Sequence, residues 1–154
     1  LTHKISDIIW TLNPVNDTLD NLAAYIKEYI GKLEEITDIR LVVVYPETIP
    51  CISLDNNVRH QLLMVTKEAV NNALKYADAN TITIMLDVAA GQIQWVVRDD
   101  GKGFDTGKIA DRNACGNGLR NMCGRMQHVN GWCHIYSRLG MGTEIRYGFT
   151  YLRN

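Results

Sequence analysis

The residues of this chain that could do chemistry fall in three glycine-centred segments and in one helix that precedes them. Asp99-Asp-Gly-Lys-Gly103, Gly116-Asn-Gly-Leu119 and Gly140-Met-Gly-Thr143 follow one another in the second half of the chain. Glycine lets a ligand come close to the backbone and tolerates φ > 0. Gly116-x-Gly118 at a helix start would aim amide N–H groups and the positive end of the helix dipole at an anion. Asp99 closes a run of alternating apolar residues, where a carboxylate can accept a hydrogen bond from the amino group of a base. Upstream, Glu68 and Asn72 are oxygen donors one helical turn apart, the hard ligands that suit a Mg²⁺ shared with phosphates. Each feature has a plainer reading when taken singly. DxGxG is commonly a turn, and this one lacks the alternating ligands and closing Glu of an EF-hand loop. The GxG has neither Walker nor GxGxxG spacing, and an Asn on a helix is ordinarily structural. Order and number give the set its weight.

The elements that must position these residues are legible as periodicities. Ile5, Ile8, Ile9 and Leu12 recur on one face of a helix that Asn13-Pro14 should end, because the residue before proline avoids the α region. Asn16-Asp17-Thr18 offers N-caps for a second helix carrying Leu19, Leu22, Ala23, Ile26, Ile30 and Leu33. Its Lys27, Glu28, Lys32, Glu34 and Glu35 read as a solvated side. Leu41 to Tyr45, β-branched and closed by Pro46, reads as a buried strand. From Val58 to Ala77, Val58, Leu62, Val65, Ala69 and Ala73 keep helical spacing, and Glu68, Asn71, Asn72 and Lys75 form a polar line against them. Alternation then takes over. Ile82, Ile84, Leu86 and Val88, then Ile93, Trp95 and Val97 after an Ala89-Ala90-Gly91 turn, predict a hairpin. Residues 99–118 read as a long loop, Leu119–Val129 as a short helix, and 132–138 with 143–149 as a second hairpin. The fold class is α+β, one sheet with helices on one face.

Composition narrows the function classes. The chain has 154 residues with 46% hydrophobic and 21% charged, enough for one soluble domain with a sizeable core. Sixteen Lys+Arg against 17 Asp+Glu leave a net charge of −1, which speaks against a duplex-binding module. No apolar stretch approaches the ~20 residues needed to span a bilayer, and no signal-peptide pattern is read. Cys51, Cys115, Cys123 and Cys133 show no CxxC spacing and are expected as free thiols in a reducing compartment. The chain opens with Leu1 and reads as a piece of a longer protein.

Taken together, these segments resemble a known family. Val65-Thr-Lys-Glu-Ala-Val-Asn-Asn-Ala-Leu-Lys-Tyr-Ala77 is similar to the N box of the GHKL (Bergerat-fold) ATPases, which include gyrase B, MutL and the sensor histidine kinases. Asp99–Gly103 resembles their G1 box, Gly116–Leu119 their G2 box, and Gly142-Thr143 their closing strand motif, all in family order. Lys67-Glu68 and Asn71-Asn72, with Gly118-Leu-Arg-Asn-Met122, are most similar to the NarX/DesK-type histidine kinases. Asp7–Pro14 and Asn16–Leu22 resemble sensor kinases with large periplasmic propellers. The resemblance implies a two-layer α/β sandwich, with a mixed, mostly antiparallel sheet of about five strands under about three helices. It implies that residues 1–14 end a dimerisation helix and that residues 15–154 form the ATP-binding catalytic domain.

It also implies roles. Asn72 would ligate Mg²⁺ bridging the ATP phosphates, and Glu68 would stand where the family keeps its polarising carboxylate. Lys75 would approach the phosphates and Tyr76 would pack near the base. Asp99 would bind the adenine amino group, with Thr143 supporting it through water. Gly101 and Gly103 would shape the base pocket, Gly116, Gly118 and Leu119 the phosphate side, and residues 104–115 a lid. The implied reaction is phosphoryl transfer to a histidine on an upstream dimerisation domain, then to a response regulator. The whole protein would be a homodimer at the membrane, with this domain cytoplasmic and no direct nucleic-acid contact. His3 does not fit a phosphoacceptor, and His60, His128 and His134 read as surface or packing residues. Arg120 and Asn121 stand where the extended G2 form repeats a glycine. Two alternatives remain: a GHKL ATPase in which Glu68 activates water, and a nucleotide-sensing module without turnover.

Overall fold

The computed structural model describes residues 2–108 and 118–151. Helix α1 (Thr2–Leu12) ends before a 3-10 turn over Pro14–Asn16, where the Asn13 side chain accepts from the Val15 amide at 3.1 Å. Helix α2 (Leu19–Glu34) buries Leu19, Leu22, Ala23, Ile26 and Ile30 at its apolar spacing. Its Lys27, Glu28, Lys32 and Glu34 are exposed, as is the C-cap Glu35. Strand β1 (Arg40–Val44) leads to helix α3 (Asn56–Tyr76), whose N-cap Asp55 accepts from the Val58 amide at 2.9 Å. Such a cap satisfies one of the orphan donors of a helix start.

Strands β2 (Thr81–Ala89) and β3 (Gln92–Asp99) form the first hairpin, in register Ala89 opposite Gln92 and Ile82 opposite Asp99. Its two-residue turn, Ala90 and Gly91, has φ of 53° and 77°, the positive pair that matches strand twist. Helix α4 (Gly118–His128) is followed by strands β4 (Trp132–Ser137) and β5 (Thr143–Thr150). The five-stranded sheet runs β1-β2-β3-β5-β4, with only the β1–β2 pair parallel, and the helices supply the second layer of its core. This is the mixed, mostly antiparallel α+β sandwich expected, with α1 added as a fourth helix.

One expectation changes. The segment around Leu41 is not a buried strand: β1 is a sheet edge on which only Leu41 is buried and Val44 is 48% exposed. Its apolar run reflects parallel pairing beside a β-branched neighbour rather than cover on both faces. Helix α1 packs through its polar side. Asp7 and Thr11 are buried while Ile5, Ile8, Ile9 and Leu12 stay exposed, Ile9 at 65%. Asp7 pairs with Lys67 of α3 and accepts from the Tyr25 hydroxyl at 2.8 Å, and Trp10 stacks on Tyr25. A buried carboxylate with two such partners avoids the penalty of an unpaired charge.

Of the tryptophans, Trp95 is fully buried at the centre of the core, edge-on to Tyr45. Cys51, Cys123 and Cys133 are free thiols; Cys115 lies outside the described residues. His60 is half-buried, pushed to a lower pKa by burial and then by Arg125.

Candidate functional site

A cavity of about 540 Å³ opens between α3, the loop after β3, the start of α4 and the inner side of β5. From α3 come Glu68, Asn72 and Tyr76, spaced four residues apart along one side of the helix, with Ala69 and Ala73 beside them on the cavity wall. Asp99 closes one end. It is the last residue of β3 and 7% exposed, and its Oδ1 accepts from the Gly101 amide at 2.9 Å. Burial pushes its pKa up; the amides of Gly101 and Thr143 pull it back without cancelling that rise. The result is a carboxylate short of water, the state in which a donor from a ligand counts for most.

Backbone packing fixes the loop that carries Asp99. The Lys102 amide donates to the Ala77 carbonyl at 2.7 Å, and Asp100 Oδ1 accepts from the amides of Asn80 and Thr81 at 2.8 and 2.9 Å. Those bonds hold Asp100 below the usual carboxylate range, with the Thr81 amide the largest contributor. Gly101 is required by the close approach: a Cβ there would lie 2.1 Å from the Ala77 carbonyl oxygen. From the other side, the Gly140 amide donates to the Lys102 carbonyl at 2.6 Å, which ties the β4–β5 turn to the same loop. Gly103 and Phe104 continue from it along the cavity wall.

The opposite end is made by side chains. A Cβ on Gly118, the first residue of α4, would sit 2.4 Å from Glu68 Oε1 and 3.0 Å from Asn72 Nδ2. The start of α4 therefore stands directly against the Glu68 and Asn72 side chains of α3. Such a cradle fits a cation with few protein ligands and an anion on the helix amides. Leu119 is buried beneath it.

The structure thus brings together Glu68, Asn72, Tyr76, Asp99, Gly103, Gly118, Leu119 and Thr143 on one cavity, with Gly101 directly behind it. Lys75 is exposed on α3 and is not part of the lining; Lys102 is the lysine there. Gly116 and most of the expected lid, residues 109–115, lie outside the described residues.

Reading the sequence did not single out Ser137. Its buried Oγ accepts from the Phe104 amide at 2.8 Å, donates to the Gly142 carbonyl at 3.1 Å and lies 2.8 Å from Thr143 Oγ1. The signal was parity. Cys133, Ile135 and Ser137 alternate toward the core, so a serine there is a polar residue at an inward position.

Comparison with known proteins adds independent support for the fold and its kinship. Residues 57–152 match the family model described as histidine kinase-, DNA gyrase B-, and HSP90-like ATPase. The chain is 32% identical over 84 residues to the signal transduction histidine-protein kinase/phosphatase DegS of Bacillus subtilis, covering 54% of this chain and 22% of DegS. It is 27% identical over 146 residues to an uncharacterised sensor-like histidine kinase of Chloroflexus aurantiacus, covering 93% of this chain and 24% of that protein. The chain therefore spans less than a quarter of the length of these relatives. Its fold superposes on the histidine kinase domain of the blue-light activated kinase of Erythrobacter litoralis with a TM-score of 0.69. That match has 18% identity and covers 84% of this chain and 61% of the other.

Proposed function

The chain belongs to the histidine kinase-, DNA gyrase B-, and HSP90-like ATPase family and carries the ATP-binding catalytic domain that histidine kinases share, and from that premise we propose that it delivers the γ-phosphoryl of MgATP to a histidine on a separate dimerisation domain. One observation carries the reading: a buried, backbone-fixed carboxylate, Asp99, shares a single cavity with Glu68, Asn72 and the N-terminus of a helix. The base lies at the Asp99 end, its amino group donating to the carboxylate and Tyr76 packing beside it. The phosphates lie toward Gly118, on the amides of α4, with Lys102 on the cavity wall.

Mg²⁺ bound there would neutralise charge on the phosphoryl oxygens. Asn72 and Glu68 would hold it by their side-chain oxygens. The chain's own part is positioning and electrostatics: α3 and α4 orient the phosphates, and the loop after β3 fixes the base. The nucleophile is a neutral imidazole on another segment. Residues 1–14 are the end of the dimerisation helix and residues 15–154 the catalytic domain. A response regulator then takes the phosphoryl group. The exposed Ile5, Ile8, Ile9 and Leu12 face suits a segment that packs against another helix in the longer protein.

The test is phosphoryl chemistry. A chain extended through its upstream helices, given MgATP, should acquire acid-labile, base-stable phosphate, and Asp99→Asn should prevent it. Free phosphate released by the present chain alone, with no labelled protein, would instead identify a hydrolase that uses Glu68 to activate water. Nucleotide binding with neither product would identify a sensor.

A further inference from the structure

We propose that Ser137 is a positioning residue that fixes the Thr143 hydroxyl as a hydrogen-bond acceptor at the base end of the cavity, and that this sets the preference for a ring bearing an exocyclic amino group. The inference rests on the nucleotide reading above and adds to it the residue that orients the specificity element.

A serine hydroxyl has one proton and two lone pairs. Around Ser137 Oγ stand three partners: the Phe104 amide at 2.8 Å, the Gly142 carbonyl at 3.1 Å and Thr143 Oγ1 at 2.8 Å. The Phe104 amide can only donate, so it takes one lone pair. The Gly142 carbonyl can only accept, so it takes the proton. Thr143 then donates into the remaining lone pair. Every group around Ser137 is satisfied in this arrangement. Turning the Ser137 proton toward Thr143 would withdraw a donor from the carbonyl of Gly142, a buried residue, and leave a Ser137 lone pair empty.

Thr143 Oγ1 has Ser137 as its hydrogen-bond partner among the described residues, and with its proton committed there it keeps two lone pairs for the cavity it lines. Asp99, its cross-strand neighbour, is an acceptor as well. Two acceptors side by side match the two N–H groups of an exocyclic amino group and repel a ring carbonyl at the same place. Without Ser137, the Thr143 proton is free to turn toward the cavity and meet a carbonyl.

The test compares ADP with inosine diphosphate, which carries a carbonyl where ADP carries the amino group, by calorimetric titration with Mg²⁺ present. The intact chain should prefer ADP. Ser137→Ala should cut that preference about fivefold, the worth of one neutral hydrogen bond, with inosine diphosphate gaining affinity as the freed Thr143 hydroxyl donates to its carbonyl. Ser137→Thr, which retains a hydroxyl, should keep the preference. Thr143→Val should lower it similarly, and Ser137→Ala should add nothing in that background. An equal loss for both nucleotides in Ser137→Ala, or its full effect persisting beside Thr143→Val, would overturn the proposal and leave Ser137 a packing residue. If Ser137→Ala fails to fold, Thr143→Val against Thr143→Ser decides. A preference lost with Val and kept with Ser supports the account, and one unchanged with Val overturns it. Binding of neither nucleotide by the intact chain would instead overturn the nucleotide reading itself, and this inference with it.

Discussion

At the base end of the cavity, Asp99 is held by amides of its own loop and of the facing strand, and the loop is zipped to the end of α3 and to the β4–β5 turn. At the other end, toward the proposed phosphate site, Glu68 and Asn72 stand on α3 against Gly118 at the start of α4, with no hydrogen-bond partner among the described residues. The first end is built before any ligand arrives. At the second, Arg125 of α4 already donates to Gln61 of α3 at 3.0 Å, and the Glu68 and Asn72 side chains are left for a cation and its phosphates to engage. Pre-organised dipoles need no rearrangement when the ligand binds, whereas the helix-borne side chains have their hydrogen-bonding capacity still uncommitted. Fold stability should therefore depend on the loop backbone at the Asp99 end and hardly at all on the side chains at the Gly118 end.

The contrast is broken most severely at Gly101. An alanine there places its Cβ 2.1 Å from the Ala77 carbonyl oxygen, backbone that cannot move aside. Gly101→Ala should cost about 3 kcal/mol of stability, read as a large drop in melting temperature. An unchanged melting curve would mean that the loop is not fixed as described. Next comes Asp99→Asn, which removes a charged acceptor and should weaken ADP about hundredfold. This variant should melt no lower than the parent. Because burial raises the Asp99 pKa, the folded chain holds that proton more tightly than the unfolded chain does. Stability thus falls as pH climbs through the window between the unfolded pKa and the raised folded one, and the loss persists above it. The Asp99→Asn side chain does not titrate, so the gap in melting temperature between the two chains should open across that window; a gap that closes there would refute the assignment.

Smaller effects belong to the other end. Asn72→Ala should reduce ADP affinity in Mg²⁺ about tenfold, to the level the parent shows in EDTA, the size expected when one charge-assisted contact is lost. If the variant still responds to Mg²⁺ as the parent does, Asn72 is not a ligand. The smallest effect should be Gly118→Ala. Its Cβ would crowd Glu68 Oε1, the tip of a flexible side chain, so melting should hardly change while nucleotide affinity falls a few-fold. A melting loss as large as that of Gly101→Ala would erase the difference between the two ends.

Much of this was legible beforehand because the relevant physics is local. The α3 stripe and its polar line follow from a 3.6-residue period, and the two hairpins from alternation and turn residues. Asp99, Asn72 and Gly118 could be set in order along the chain for the same reason. What could not be read depends on neighbours distant in sequence. The run at Leu41 gives no sign that it lies at a sheet edge, since parallel partners arrive from beyond α3. Nor does periodicity show that α1 turns Asp7 inward, because the burial of that residue depends on Lys67 and Tyr25. Lys75 and Lys102 exchange places for the same reason: spacing sets Lys75 on the polar line of α3, but only the folded loop shows which lysine reaches the cavity.

Titration of the ¹⁵N-labelled chain with MgADP, followed by amide shifts, tests the central claim most directly. The account predicts saturable changes at Asn72, Gly101, Gly103, Gly118 and Thr143, with β1 and the outer face of α2 unmoved. Shifts confined to those outer elements, or none at millimolar nucleotide, would contradict it.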